Sequence, residues 1–422
     1  MACVVPFRAL RYHSRYSADM SCVTSPPYDV ISETARAGYE ARHARNVIRL
    51  ILPGEAGRIE DGSFYSGAAA LLRKWREDGT LERDPAVSFY PYRQSFRGPD
   101  GENAMRLGFL GALALPAAKS EERIVLPHER TLDAPRRDRT RLIEACRANL
   151  SPIFLLHPDS TGEAGRVLAA SVAVPPLFAF QDDAGITHEM WRIDDPGAVD
   201  RLHKALLPDW TLIADGHHRY EAAMAVRNEH PQEEGAGYVL AFFCSLQDRG
   251  FRVFPIHRLL RAAPGTGTSR ELADALRRRH LVSEIPHESG PEEVLSRVRG
   301  AGEGSVGVVL PDGPSLLLHV GRTAGDQGES GSGLDTELLQ HAVFTETLGI
   351  SAEAVSGGAV AYTSDAGEAF RRVRSGESRA AFLLNPLPIE SVVRAAQKGL
   401  RLPQKSTYFY PKVFTGLVIR PF

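Results

Sequence analysis

The chain has 422 residues, and 50 lysines and arginines almost balance 52 aspartates and glutamates for a formal net charge of −2. With 43% hydrophobic residues it can bury a sizeable core, which excludes global disorder. The near-neutral balance supplies no electrostatic footprint for unspecific nucleic-acid binding, and no apolar run approaches the ~18 residues of a membrane span. Neither nucleic acid nor membrane is therefore an expected partner. Cys3, Cys22, Cys146 and Cys244 are scattered and form no CxxC pair, as suits a reducing cytoplasm, and the start, MACVVPFRALRYHSRYS, lacks the apolar stretch of a signal peptide.

In chain order, SPPYDVIS (25–32) opens with two prolines that forbid helix and ends in Ser32, a predicted N-cap for a helix from Glu33. NVIRLILP (46–53) reads as a buried strand, and SGAAALLRKWREDGTL (66–81) as a helix stopping at Gly79. AVSFYPYRQSF (86–96) and MRLGFLGALAL (105–115) read as strands. From 124 to 157 a strand end runs into a charged helix and a second strand; 189–230 reads strand, helix, strand, tight turn, helix; VLAFFCSL (239–246) is another strand, followed by FPIHRLL (254–260). Beyond 263 come two predicted helices (270–280, 291–299), a strand (305–310), a flexible Gly/Ser-rich loop (321–334), a helix near 335–347 and an alternating C-terminal tract. Interleaved helices and strands predict an α/β or α+β fold. The expected regions are an N-terminal α/β region (1–115), a catalytic core (116–262) and a C-terminal α/β region (263–422).

The strongest chemical signal is TLIADGHHRYEAAMAV (211–226). A strand ends at Asp215, Gly216 permits a tight turn, and His217, His218 and Arg219 open a helix. Amides at a helix start lack intrahelical partners and the dipole there is positive, so a phosphate fits this turn, with Arg219 as a bidentate fork. Asp215 can ligate Mg²⁺ or orient a nucleophile; the bland alternative is a helix cap with solvated or core histidines. In LPHERTLDAPRRDRTRL (126–142), His128 and Glu129 follow Pro127 in an extended turn, from which Glu129 can serve as a general base; Asp138 and Arg139 on the next helix can pair or bind substrate. In LPQKSTYFYPKVFTGLVI (402–419), Lys405, Ser406, Thr407 and Lys412 offer phosphate contacts among aromatics that read equally well as a core strand. Tyr28 and Asp29 either line the same cleft or shape a turn.

Together SPPYDVIS, VLPHERT, IADGHHRYEAA and PQKSTYFYPK resemble a widespread prokaryotic family, domain of unknown function 1015, from residue 28 to the end of the chain. The strand–DGHHR–helix element is similar to the signature of the ParB/sulfiredoxin superfamily, and within it to free-serine kinases, which place a Pro-His-Glu segment upstream of such a turn. The resemblance implies a ParB/sulfiredoxin-like nucleotide-binding core with N- and C-terminal elaborations. It implies Glu129 as base with His128 beside it, Asp215 as catalytic or metal-holding residue, and His217, His218 and Arg219 on the phosphates. About 85 residues separate Glu129 from Asp215, more than a compact ParB-like domain needs.

The resulting expectation is a cytoplasmic kinase that uses ATP or ADP with Mg²⁺ to phosphorylate a hydroxyl of a small metabolite, free L-serine or a related hydroxy-amino acid first. Gly216, His217, His218, Arg219, Lys405, Ser406 and Thr407 are the expected phosphate ligands, and Tyr28, Asp29, Asp138 and Arg139 the expected substrate ligands. A homodimer is compatible with this reading. The alternative is a nucleotide-binding switch, as in ParB proteins, without metabolite turnover.

Overall fold

The structure, a computed structural model, describes residues 4–54, 57–98, 101–116, 124–206, 210–261, 268–320 and 334–422. The chain forms two compact units. The first comprises Met1–Pro127, Thr131–Phe251 and Pro411–Phe422; the second comprises His128–Arg130 and Arg252–Tyr410.

The first unit is built on a mixed sheet with nine described strands: β1 (Val4–Val5), β2 (Tyr90–Arg97), β3 (Asn103–Ala114), β4 (Val125–Leu126), β5 (Ile153–His157), β6 (Phe178–Gln181), β7 (Thr187–Met190), β8 (Thr211–Asp215) and β9 (Tyr238–Ser245). Their order is β4-β8-β5-β9-β3-β2-β7-β6, with β1 also on β3. The β8/β4 and β9/β5 pairs are parallel and the other pairs antiparallel. Unbroken apolar runs such as Phe109–Leu113 and Val239–Cys244 suit the sheet interior, where both faces are covered. Around it lie α1 (Glu33–Arg42), α2 (Ser63–Glu77), α3 (Asp133–Cys146), α4 (Glu163–Ser171), α5 (Pro196–Ala205) and α6 (His217–Glu229). Tyr220, Ala222, Ala223 and Val226 of α6 join Ile153, Leu155, Ile213 and Phe243 in one core, so the helix that carries the histidines is bolted to the sheet.

Local signals held where chemistry is local. Ser32 caps α1 by accepting the Ala35 amide at 3.2 Å, and Gly79 stands at φ +69° two residues past α2. Residues 46–53 depart from the expected strand: Ile48–Ile51 form a buried helical turn. Asn46 causes it, accepting the Ile48 amide at 2.9 Å while its amide nitrogen donates to the carbonyls of Cys22 and Thr24. A short apolar run does not by itself distinguish the two states.

The second unit holds a six-stranded sheet of β10 (His257–Arg261), β11 (Leu281–Ile285), β12 (Ser305–Val309), β13 (Ser315–His319), β14 (Val360–Thr363) and β15 (Ser378–Leu383), in the order β11-β13-β12-β15-β10-β14. Alternate residues face opposite cores: Val306, Val308, Ala380 and Phe382 on one side, Val309, Leu259, Ala381 and Leu383 on the other. The first core takes Leu272, Ala273 and Leu276 of α7 (Ser269–Arg279), which starts in a Thr268/Glu271 capping box. The second takes Val294 and Val298 of α8 (Pro291–Ala301) and Ala369, Phe370 and Val373 of α9 (Ala366–Arg374). The helix expected near 335–347 is α-helical over Asp335–Leu338 and π-helical over Leu339–Thr347; of the loop expected to be flexible, 321–333 lie outside the described residues.

These units cut across the three consecutive regions read from the sequence. Strands from 90–114 and from 153–245 share one sheet, and the last twelve residues return to the first unit through Arg420–Pro421 on Ala148–Asn149 and through bridges from Ser25 to Thr415 and Leu10 to Ile419. Residues 128–130 join the second unit, where Glu129 pairs with Leu402. Strand pairing at such separations leaves no trace in local composition. No helix among the described residues is long and apolar enough to cross a membrane.

Candidate functional site

β8 ends in an irregularity: Ile213 pairs with Leu155 but Asp215 with Phe154, so Ala214 is extra and the strand is re-aimed just before its carboxylate. Gly216 follows at φ +92°, as N-cap of α6 with no side-chain cap. A Cβ there would meet Ile153 and the Arg219 guanidinium at 3.1 Å, so glycine is required both by conformation and by room. The first turn of α6 then presents His217, buried, His218, half-buried, and Arg219, buried.

Asp215 sits between two cations. Arg219 Nη2 donates to Oδ2 at 2.5 Å and Lys412 Nζ donates to Oδ1, with all three side chains no more than 13% exposed. Arg219 Nη1 also donates to the Pro152 carbonyl, and its buried Nε has no protein partner among the described residues. Burial opposes the Arg219 charge, but the fields of Asp215, Asp29 and Tyr28 outweigh it and hold its pKa above the ordinary value. Each carboxylate oxygen thus meets one cation. Among the described residues, the three-residue group with metal-ligand spacing is Glu144, Glu229 and His230, and it does not include Asp215.

Beside Arg219 lies Arg139 of α3. Its Nε donates to Asp138 at 2.7 Å and its Nη1 to the Ile51 carbonyl at 2.9 Å, while its guanidinium stacks on Tyr28 at 4.1 Å. Asp138 also accepts from the Tyr65 hydroxyl at 2.7 Å. Burial, opposed by Arg139 and supported by Asp29, pushes the Tyr28 hydroxyl up to about 12. The four expected substrate residues therefore do gather around Arg219, and Arg139 and Arg219 line one cavity with Asn149 and Ser151. Asp138 and Arg139 are paired with each other. His218 Nε2 accepts the Leu132 backbone amide at 2.9 Å, so one ring nitrogen holds the chain ahead of α3, and Thr131 donates to Glu221 of α6 at 2.5 Å.

The remaining expected residues belong to the second unit. His128 is buried, its Nε2 2.9 Å from the Thr407 hydroxyl and its ring against Phe409, as a core group would be. Glu129 is half-buried in the field of Arg258 and Tyr362. Ser406 donates to the Pro403 carbonyl at 2.7 Å and to Thr336, and Lys405 is exposed at φ +56°. The hydroxyls of Ser406 and Thr407 thus serve the interior of that unit; from the same tract it is Lys412, seven residues on, that meets the DGHHR turn.

With this geometry in place, comparison with known proteins is informative about family. The model of a protein family of unknown function, DUF1015, matches residues 4–338. The chain belongs to the DUF1015 family. No curated protein matches the sequence. Among solved structures, this DUF1015 protein is similar to a conserved hypothetical protein from Pyrococcus furiosus (14% identity, TM-score 0.36, covering 68% of this chain and 87% of that one). It is also similar to a free serine kinase in complex with AMP (14%, 0.36, 68% and 83%) and to SbnI with a C-terminal truncation from Staphylococcus aureus (14%, 0.34, 70% and 83%).

Proposed function

We propose that this protein is a nucleotide-dependent phosphotransferase, taking ATP or ADP as donor and a hydroxyl of a small free metabolite as acceptor, with free L-serine or a related hydroxy-amino acid the first candidate. The observation that carries the reading is the convergence of Arg219 and Lys412 on one carboxylate, Asp215, directly before the start of α6. Phosphoryl transfer asks the protein mainly for cations and amides around the phosphates and for a held acceptor.

An incoming phosphate chain competes with Asp215 for Lys412. Arg219 is fixed by two planar contacts, but an ammonium on a four-carbon stem turns between two anions at little cost. Asp215 keeps both cations at the turn before nucleotide arrives, and the divalent ion arrives as part of the nucleotide substrate. The base role that the resemblance gives Glu129 is kept as part of the proposal.

Calorimetry with MgATP and MgADP tests the reading. Lys412→Ala is expected to weaken nucleotide binding about tenfold or more, the size of one charge-assisted contact, and binding should weaken further as salt rises. Absence of heat in the wild-type protein, or unchanged affinity in Lys412→Ala, overturns it. In a turnover assay over a panel of hydroxy-amino acids, Glu129→Gln is expected to lose at least about 100-fold in rate while nucleotide affinity stays within about twofold.

A further inference from the structure

Next to the Lys412–Asp215 pair, the Lys412 backbone is held by two buried side chains that no part of the site reading uses. Register in the first sheet puts Gln94 of β2 directly opposite Arg106 of β3, and Tyr92 two residues before Gln94, so all three project from the same face. Each is fully buried. Arg106 Nη2 donates to Gln94 Oε1 and, at 2.7 Å, to the Pro411 carbonyl, and Gln94 Nε2 donates to the Lys412 carbonyl at 2.9 Å. Two residues thus grip Pro411 and Lys412 by their main-chain carbonyls. Tyr92 is itself fixed by its hydroxyl on His188 Nδ1, whose Nε2 faces Asp182 at 3.2 Å.

Arg106 is an expensive way to hold a loop. Its guanidinium lies over the rings of Phe154 and Phe242, no carboxylate forms an ion pair with it among the described residues, and its Nε and Nη1 have no hydrogen-bond partner there. A buried cation in that state costs stability that an apolar residue of similar size would not. Retaining it fits a directional task.

We propose that Gln94 and Arg106 are positioning residues that set the Lys412 main chain so that its ammonium meets Asp215. The inference rests on the phosphotransferase reading for the purpose of Lys412, but its geometry stands without it. The mechanism makes Gln94 the link: its carboxamide oxygen takes the arginine, and its nitrogen gives the proton to the Lys412 carbonyl.

The test uses the full-length protein and amine acetylation, with the modification rate at Lys412 read by peptide mass spectrometry. Gln94→Glu keeps an oxygen for Arg106, now as an ion pair, and removes the donor to Lys412; Gln94→Met removes both. Positioning predicts that Lys412 is acetylated at least fivefold faster in both variants while exposed Lys204 is unchanged. If Gln94 only satisfies Arg106, Gln94→Glu stays within twofold of wild type and Gln94→Met alone changes, which overturns the proposal. Should Gln94→Glu fail to fold by tryptophan emission, Arg106→Met, which loses the donor to the Pro411 carbonyl and puts an apolar chain in place of a buried cation, is read in its place with the same thresholds. In the turnover assay Gln94→Glu raises the nucleotide KM at least fivefold, in the same direction as Lys412→Ala. An inactive wild type removes the phosphotransferase reading but leaves the acetylation result to decide the clamp.

Discussion

Asp215→Ala is expected to destabilise the first unit by about 3–5 kcal/mol, the cost of stripping one partner from a buried ion pair. Two cations are stranded by this change. Arg219 is 7% exposed and donates to the Pro152 carbonyl, so its charge stays in the interior, and the Lys412 ammonium is only 12% exposed. Asp215→Asn keeps the shape and an acceptor oxygen and should cost less. Trp75, Trp191 and Trp210 all lie in the first unit, so tryptophan emission in a urea titration reports this unit separately from the second. A loss under about 1 kcal/mol would place the triad among solvent-screened surface pairs and remove the argument that it is preorganised.

Acid is expected to weaken the second unit through His257. The ring is buried, and its Nδ1 accepts the Leu384 amide at 3.2 Å, which requires the neutral form at that nitrogen. Burial, with Arg258 adding and Asp365 opposing, pushes its pKa down from 6.5 to about 4. The folded value lies below the unfolded one, so the unfolded chain takes the proton first as pH falls. The contribution is therefore whole above about pH 6.5 and is lost progressively toward pH 4, reaching on the order of 3 kcal/mol. The second unit contains no tryptophan, so its transition appears in far-ultraviolet circular dichroism without a matching change in emission. Urea midpoints of this transition at pH 7 and pH 4.5 should separate by less in His257→Gln than in the wild type; an equal separation in both proteins would assign the acid sensitivity to other groups.

The parts of the candidate site legible in the sequence are those within one turn of chain. A strand running into Asp-Gly and then a polar helix start implies a glycine with positive φ and a carboxylate at the strand end, because both follow from local backbone sterics and helix-end chemistry. Ser32 and the Thr268/Glu271 box are legible for the same reason. Tyr28 and Arg139 were marked as candidates, but their stacking contact was not, since it depends on where α3 lies against the N-terminal segment. The sequence favours Lys405 over Lys412 for the phosphate, because seven residues of aromatic, alternating chain do not say which lysine belongs to which unit. Arg106 and Gln94 carried a faint signal, two polar residues inside strands otherwise dense with Phe, Tyr and Leu, and strand register was needed to make them a pair.

By itself the sequence determined the element types over most of the described chain, the mixed α/β character and the backbone form of the Asp215–Gly216 turn, since each is set by interactions within a few residues. Only the tertiary structure decided that residues 90–245 share one sheet, that 128–130 and 411–422 exchange units, and that both oxygens of Asp215 are taken by Arg219 and Lys412. Those outcomes turn on which strand edges pair and which buried charges find one another across as many as 197 residues, and local sequence carries no record of either.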